Sequence, residues 1–169
     1  KIKNFGPKII NTEINLLKKI GAKIKTTKNT IQIKGPKKIR SLDFLKTGEY
    51  PNFPTDLQAQ IMVLLTRAHG KSTIEENIFE NRFMHVAELN RMGAKIKVLG
   101  NKAIIEGNIN FNAAELMATD LRASVSLILA ALSANGKSII NRIYHLDRGY
   151  EKIEKKLQKV GANIRRISK

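Results

Sequence analysis

Two aspartates and three arginines at fixed places in the chain are the residues best able to do chemistry here. Asp56 stands in Tyr50-Pro51-Asn52-Phe53-Pro54-Thr55-Asp56-Leu57-Gln58-Ala59-Gln60. The two prolines predict an extended Tyr50 to Phe53, because the residue before a proline is pushed out of the helical region. Thr55, with Gln58 three residues later, reads as a capping box that opens a helix. Asp56 then falls in the first turn, where the helix dipole favours a negative charge. A carboxylate fixed in this way can act as a base, or it can simply stabilise the helix.

The same stretch recurs. Thr119-Asp120-Leu121-Arg122-Ala123 matches Thr55-Asp56-Leu57-Gln58-Ala59 at a constant offset of 64 (120 − 56). A duplicated aspartate favours a cap, which every copy of a helix start needs. The first turns differ, however, with Gln58 in one and Arg122 in the other. An arginine there is badly placed for the dipole but well placed to join backbone N–H groups in holding an anion. Arg82 and Arg148 also correspond, 66 residues apart (148 − 82), each expected to follow a strand and open a helix. Each has a neighbouring acid, Glu80 or Asp147, with which it could simply pair. The triplets Gly70-Lys71-Ser72 and Gly136-Lys137-Ser138 are not phosphate loops. Leu65 and Ala131 stand where the loop needs a glycine, and the helix precedes the triplet instead of following it. Several arginines, helix N-termini and one fixed carboxylate suit a phosphorylated anionic substrate without defining a reaction.

The elements that must position these residues follow from periodicity. Ile14, Leu17 and Ile20 share a helical face that ends at Gly21. Residues 22–25 and 30–34 alternate as a hairpin ending at Gly35-Pro36. Leu57, Ile61, Leu64, Leu65 and Ala68 line one face of a helix stopping near Gly70. A strand over 72–78, a turn at 80–82 and a helix to Met92 follow. A second hairpin covers 94–98 and 103–106. Lys19-Ile20-Gly21-Ala22-Lys23-Ile24 returns as Arg91–Ile96 and Lys159–Ile164, and the second helix face returns as Leu121, Val125, Ile128, Leu129 and Leu132. The chain is therefore expected to be one α/β domain of βαβαββ units: a partial repeat at 1–46, then repeats at 47–112 and 113–169.

Composition narrows the function classes. The 169 residues carry 42% hydrophobic and 27% charged side chains, the balance of a soluble globular domain. No apolar run approaches a membrane span. With no cysteine there is no disulfide, thiolate ligand or cysteine nucleophile in this chain, and the three histidines have no metal-ligand spacing. No metal or cofactor is expected. The net charge of +17 comes mostly from dispersed lysines with few aromatics between them, which argues against a selected nucleic-acid surface.

Four segments, Tyr50–Gln60, Ile78–His85, Met117–Ser124 and Arg142–Glu151, closely resemble the UDP-N-acetylglucosamine 1-carboxyvinyltransferases of the EPSP synthase-like family, and the resemblance runs along essentially the whole chain. It implies an inside-out α/β barrel. Three repeats surround a pseudo-threefold axis in such a domain, with helices inside and their N-termini facing a cleft between two domains. It also implies a cytoplasmic enzyme that transfers enolpyruvate from phosphoenolpyruvate to the 3-hydroxyl of UDP-N-acetylglucosamine, the first committed step of peptidoglycan synthesis. By resemblance, Asp56 contacts the sugar and deprotonates that hydroxyl, and Ile78 with Phe79 forms the wall against the nucleotide sugar. Arg148 holds phosphoenolpyruvate with Asp120 and Arg122 beside it, and Arg82 is carried over on a looser match.

Ala87 and Asn52 depart from the family's usual proline and glycine, and both substitutes suit their positions. The first strands of the domain, the other domain, the lid proton donor and a lysine–asparagine pair are expected to lie outside this chain, so that alone it would be inactive. Two rivals remain: a non-catalytic remnant or basic anion-binding or nucleic-acid-binding module, and the sister transferase acting on shikimate 3-phosphate. The residues around Ile78 argue against the sister enzyme.

Overall fold

Short alternating strands joined through buried helices build small sheets that wrap a helical interior. The computed structural model describes residues 1–167. In chain order it contains β1 (Ile2–Lys3), α1 (Asn11–Lys19), β2 (Lys23–Thr27), β3 (Thr30–Lys34), β4 (Leu45–Lys46), α2 (Gln58–Thr66), β5 (Lys71–Glu75), α3 (His85–Arg91), β6 (Lys95–Leu99), β7 (Lys102–Glu106), β8 (Glu115–Met117), α4 (Leu121–Leu132), β9 (Ile139–Asn141), α5 (Tyr144–Asp147) and α6 (Ile153–Gln158). Both predicted hairpins are present as β2–β3 and β6–β7.

The sheets carry the repeat. One has the order β4-β5-β7-β6, in which β4 and β5 are parallel and the other neighbours antiparallel. A second has the order β1-β3-β2, and Ile2 faces Ile31 as Ile74 faces Ala103, each partner 72 residues on. The third is the parallel pair β8–β9, which corresponds to β4–β5. Gly21, Gly93 and Gly161 each follow a helix with φ of +110°, +96° and +96°. That left-handed turn lets the chain leave the helix, and glycine adopts it without a Cβ penalty.

The core lies on α2 and α4. Met62, Leu65 and Leu127 are fully buried, packed with Ile74, Leu89, Ile105 and Phe111. The expectation of a single apolar face was too narrow. Leu57, Leu129 and Leu132 are partly exposed, while Met62, Val63, Leu127 and Ala130 are buried on other sides. A helix enclosed by sheets and neighbouring helices is buried around most of its circumference, so its sequence loses the one-sided stripe.

The stretch before α2 also differs from expectation. Residues 48–53 turn back instead of running extended: the Asn52 N–H donates to the Glu49 carbonyl (2.8 Å) and the Gly48 N–H to the Phe53 carbonyl (3.0 Å). The Tyr50–Pro51 peptide is cis. The turn lets Phe53 enter the core at 4% exposure, while Tyr50 stays in solvent. Proline's fixed φ serves a turn as well as an extended run, and burial of Phe53 selects the turn.

Candidate active site

The starts of α2 and α4, the loop between β5 and α3, and the end of α5 carry the candidate residues. A 3-10 turn at Thr55–Leu57 leads into α2 and places Asp56 in solvent. The expected capping box does not form, since neither Thr55 nor Gln58 caps α2 with its side chain. Thr55 Oγ1 instead donates to Glu76 Oε2 (2.9 Å), and Gln58 turns inward, fully buried, with neither amide atom paired to a described residue. Tertiary contact outcompetes the local reciprocal bond, because Glu76 is a charged acceptor and the stronger partner.

Asp120, at the matching position, is a true cap. Its Oδ1 accepts from the Arg122 N–H (2.7 Å) and the Ala123 N–H (2.9 Å), two donors that the helix start leaves unpaired. The cap pins the first turn of α4 and with it Arg122. The anion that Arg122 holds is Asp56, 66 residues earlier: Nε and a terminal nitrogen lie 2.7 and 2.6 Å from Asp56 Oδ1. Asp56 is 60% exposed and Arg122 34%. Both nitrogens converge on Oδ1, and Asp56 Oδ2 makes no hydrogen bond with another described residue.

Arg82 reaches the same carboxylate from a third direction. It lies in the turn after β5, ahead of α3, instead of opening the helix. It also does not pair with Glu80. Its Nε donates to Thr55 Oγ1 (3.3 Å), a terminal nitrogen stands 4.0 Å from Asp56 Oδ1, and its guanidinium lies 4.3 Å from the centre of the Phe79 ring. Ile78 and Phe79 are 37% and 54% exposed on that loop, so large apolar side chains face solvent beside the cluster.

Arg148 enters differently from the sequence expectation. It follows the short α5 instead of opening a helix, and its neighbour Asp147 is taken by Arg166 at 2.6 and 2.9 Å. That guanidinium holds the Asp147 carboxyl below its usual range by hydrogen bonding and charge. Arg148 is exposed and makes no ion pair among the described residues. The next residue, Gly149, packs on Leu121 so closely that a Cβ there would lie 3.0 Å from both Leu121 methyl groups. The backbone next to Arg148 therefore lies against Leu121, between Asp120 and Arg122.

Sequence reasoning missed two buried groups. Glu76, 3% exposed, accepts from the Ile78 N–H (2.9 Å), the Phe79 N–H (3.2 Å) and Thr55 Oγ1. Its signal was the strand period: Ser72, Ile74 and Glu76 are buried while Lys71 is exposed and Thr73 and Glu75 lie between, so the second acid of the Glu75-Glu76 doublet has the inward parity. His85 opens α3 at 1% exposure with Nε2 unpaired among the described residues. Burial pushes its imidazole down to about 4, against the opposing effects of Asp120 and a hydrogen bond with the Arg82 backbone. It is neutral at neutral pH. Among the described residues no group of three or more potential ligands could hold a metal ion, and no helix is long and apolar enough to cross a membrane.

A carboxylate bonded by one arginine, with a second 4.0 Å from it, can accept a proton beside a site for an anion. Known proteins with the same design are found by sequence and by structure. A family model described as EPSP synthase (3-phosphoshikimate 1-carboxyvinyltransferase) matches residues 1–157. The UDP-N-acetylglucosamine 1-carboxyvinyltransferase of Pelagibacter ubique is 71% identical over 99% of this chain and 40% of its own length. The enzyme of that name from Bartonella tribocorum is 52% identical over 99% of this chain and 39% of its length. An enolpyruvyl transferase of Streptomyces tendae superposes with a TM-score of 0.86 at 28% identity, covering 95% of this chain and 39% of that one. EPSP synthase from Acinetobacter baumannii shares the fold, with a TM-score of 0.61 at 15% identity, over 81% of this chain and 34% of that one. The chain thus spans about 40% of the length of the relatives it matches in sequence, and with the family match extending over residues 1–157 it belongs to the EPSP synthase family, in the inside-out α/β fold that its sheets and buried helices display.

Proposed function

We propose that this chain is part of an enolpyruvyl transferase that moves enolpyruvate from phosphoenolpyruvate to the 3-hydroxyl of UDP-N-acetylglucosamine. The observation that carries the reading is the Asp56 carboxylate, bound at Oδ1 by Arg122 and approached by Arg82 while Oδ2 stays open. The names of the 71% and 52% identical relatives support the acceptor.

Asp56 Oδ2 takes the proton of the sugar 3-hydroxyl as its oxygen attacks C2 of phosphoenolpyruvate, and an acid from outside this chain protonates C3. Loss of a C3 proton and of phosphate then restores the double bond and leaves the enolpyruvyl ether. Arg122 and Arg148 hold the phosphate and carboxylate of phosphoenolpyruvate, for which guanidinium forks are suited. The Asp120 cap fixes Arg122 for that task. Ile78 and Phe79 line the nucleotide-sugar side, with Arg82 stacked behind Phe79.

In this reading residues 1–46 are an incomplete repeat and 47–112 and 113–169 are two further ones. A second domain completes the cleft and supplies the acid. The enzyme is cytoplasmic and serves peptidoglycan synthesis. The test is a chimera in which this chain replaces the matching 40% of the Pelagibacter ubique relative. Phosphate release that requires both phosphoenolpyruvate and UDP-N-acetylglucosamine is expected. Release with shikimate 3-phosphate instead, or with neither acceptor, would overturn the proposal.

A further inference from the structure

The buried Glu76 carboxylate links the two halves of the site. Its Oε1 accepts from the N–H groups of Ile78 (2.9 Å) and Phe79 (3.2 Å), which turns the loop after β5. The Asn77 N–H of the same loop donates to Thr47 Oγ1 (3.0 Å), itself buried. Glu76 Oε2 accepts from Thr55 Oγ1 (2.9 Å), the residue immediately before Asp56. Thr55 Oγ1 accepts in turn from Arg82 Nε. One carboxylate thus holds a loop bearing exposed apolar side chains and a helix start bearing an exposed acid, with three donors distributed over both oxygens.

We propose that Glu76 is a positioning residue that fixes the Asp56 carboxylate relative to the Ile78–Phe79 loop. The inference rests on the reading of Asp56 as base and of the loop as the nucleotide-sugar wall. A buried carboxylate is costly unless fully bonded, so the three donors and the acid hold one another in a single geometry. A packing role could be filled by any side chain of similar volume. A separation-setting role requires an acceptor at both ends, and only a carboxylate has one at each. In Glu76→Gln the amide oxygen can still accept from Ile78 and Phe79. The amide nitrogen can only donate to Thr55 Oγ1, so the bond to Thr55 is reversed and weakened and the Thr55 hydrogen loses its charged acceptor. Thr55→Val removes the same arm from the other side, together with the acceptor of Arg82 Nε, and leaves the loop arm intact.

The experiment uses the chimera with the Pelagibacter ubique relative. Glu76→Gln and Thr55→Val are each expected to lower kcat about tenfold, the scale on which small displacements of a catalytic group act, with KM for UDP-N-acetylglucosamine within about twofold. The double variant is expected to be no slower than Thr55→Val alone, because Glu76→Gln acts on a link that Thr55→Val already removes. Glu76→Ala, which also frees the loop, is expected to raise that KM and to speed amide hydrogen exchange at Ile78 and Phe79, where Glu76→Gln leaves exchange slow. Multiplicative losses in the double variant, or single variants with unchanged kcat, would overturn the proposal. If the unsubstituted chimera shows no turnover, the functional reading fails instead. The exchange rates at Ile78 and Phe79 then decide the anchoring on their own: rates unchanged in Glu76→Ala overturn it.

Discussion

Substituting the two corresponding aspartates by alanine should produce opposite defects. Asp120 Oδ1 accepts from two backbone N–H groups at 2.7 and 2.9 Å, so Asp120→Ala removes a complete helix cap. Loss of such a cap costs about 1 kcal/mol, within a range of roughly 0.5–2. For a unit of this size that lowers the melting temperature by roughly 2–4 °C per kcal/mol. Asp56 caps nothing with its side chain. It is 60% exposed, its partner Arg122 is 34% exposed, and a pair so accessible is worth about 0–1 kcal/mol. Asp56→Ala should therefore shift the melting temperature less than Asp120→Ala does. In the proposed role of base its catalytic cost should be far larger: loss of a positioned general base lowers kcat by about 10²–10⁴-fold, equivalent to roughly 3–5 kcal/mol in the barrier. Asp120→Ala, which loosens Arg122 without removing a reacting group, should raise KM for phosphoenolpyruvate and reduce kcat only about tenfold or less. Both variants are measured in the chimera by phosphate release and by thermal melting. An Asp56→Ala variant with kcat within threefold of the unsubstituted chimera would refute the assignment of base, and equal losses of activity in the two variants would refute their separation into base and cap.

Further outcomes follow from the same geometry. Arg148→Ala should raise KM for phosphoenolpyruvate at least tenfold with little change in melting temperature, because Arg148 is exposed and unpaired among the described residues; steady-state kinetics at saturating acceptor check this. His85 should make stability depend on pH. Its folded value near 4 lies below the ordinary 6.5, so the unfolded chain binds more protons between these values and stability falls as pH drops from about 6.5 towards 4. The contribution at stake is on the order of 3 kcal/mol, and urea unfolding across that window should lose its slope in His85→Gln. Gly107→Ala should destabilise by about 3 kcal/mol or more, seen as a lowered melting temperature. A Cβ at Gly107 would sit 1.9 Å from the Ala68 carbonyl oxygen, on backbone that cannot move while the Gly107 and Asn108 N–H groups bond the Gly70 and Ala68 carbonyls.

Much of the architecture was legible in the sequence because it depends on short-range periodicity repeated along the chain. Alternation over residues 23–34 and 95–106 and the glycines at 21, 93 and 161 state hairpins and helix ends locally, and their recurrence states the repeat. The resemblance pointed to Asp56, Arg122 and Arg148, and the structure brings the first two into contact. Where expectation failed, a local bond competed with a distant one. Thr55 and Gln58 have the spacing of a capping box, yet Glu76, 21 residues along the chain from Thr55, offers a buried charged acceptor and takes the hydroxyl. Arg82 and Arg148 each stand near an acid in sequence, yet Arg82 meets Asp56 instead, and Asp147 is taken by Arg166, which leaves Arg148 without an ion pair among the described residues. The Thr-Asp helix start illustrates the division. By itself the sequence determined that the motif occurs twice, at the starts of two helices buried in one core. Only the packing of α2 beside α4 decided that one copy spends its carboxylate on its own helix while the other meets the arginine of its neighbour. Contacts between residues 66 positions apart are made by tertiary burial, which no local propensity encodes.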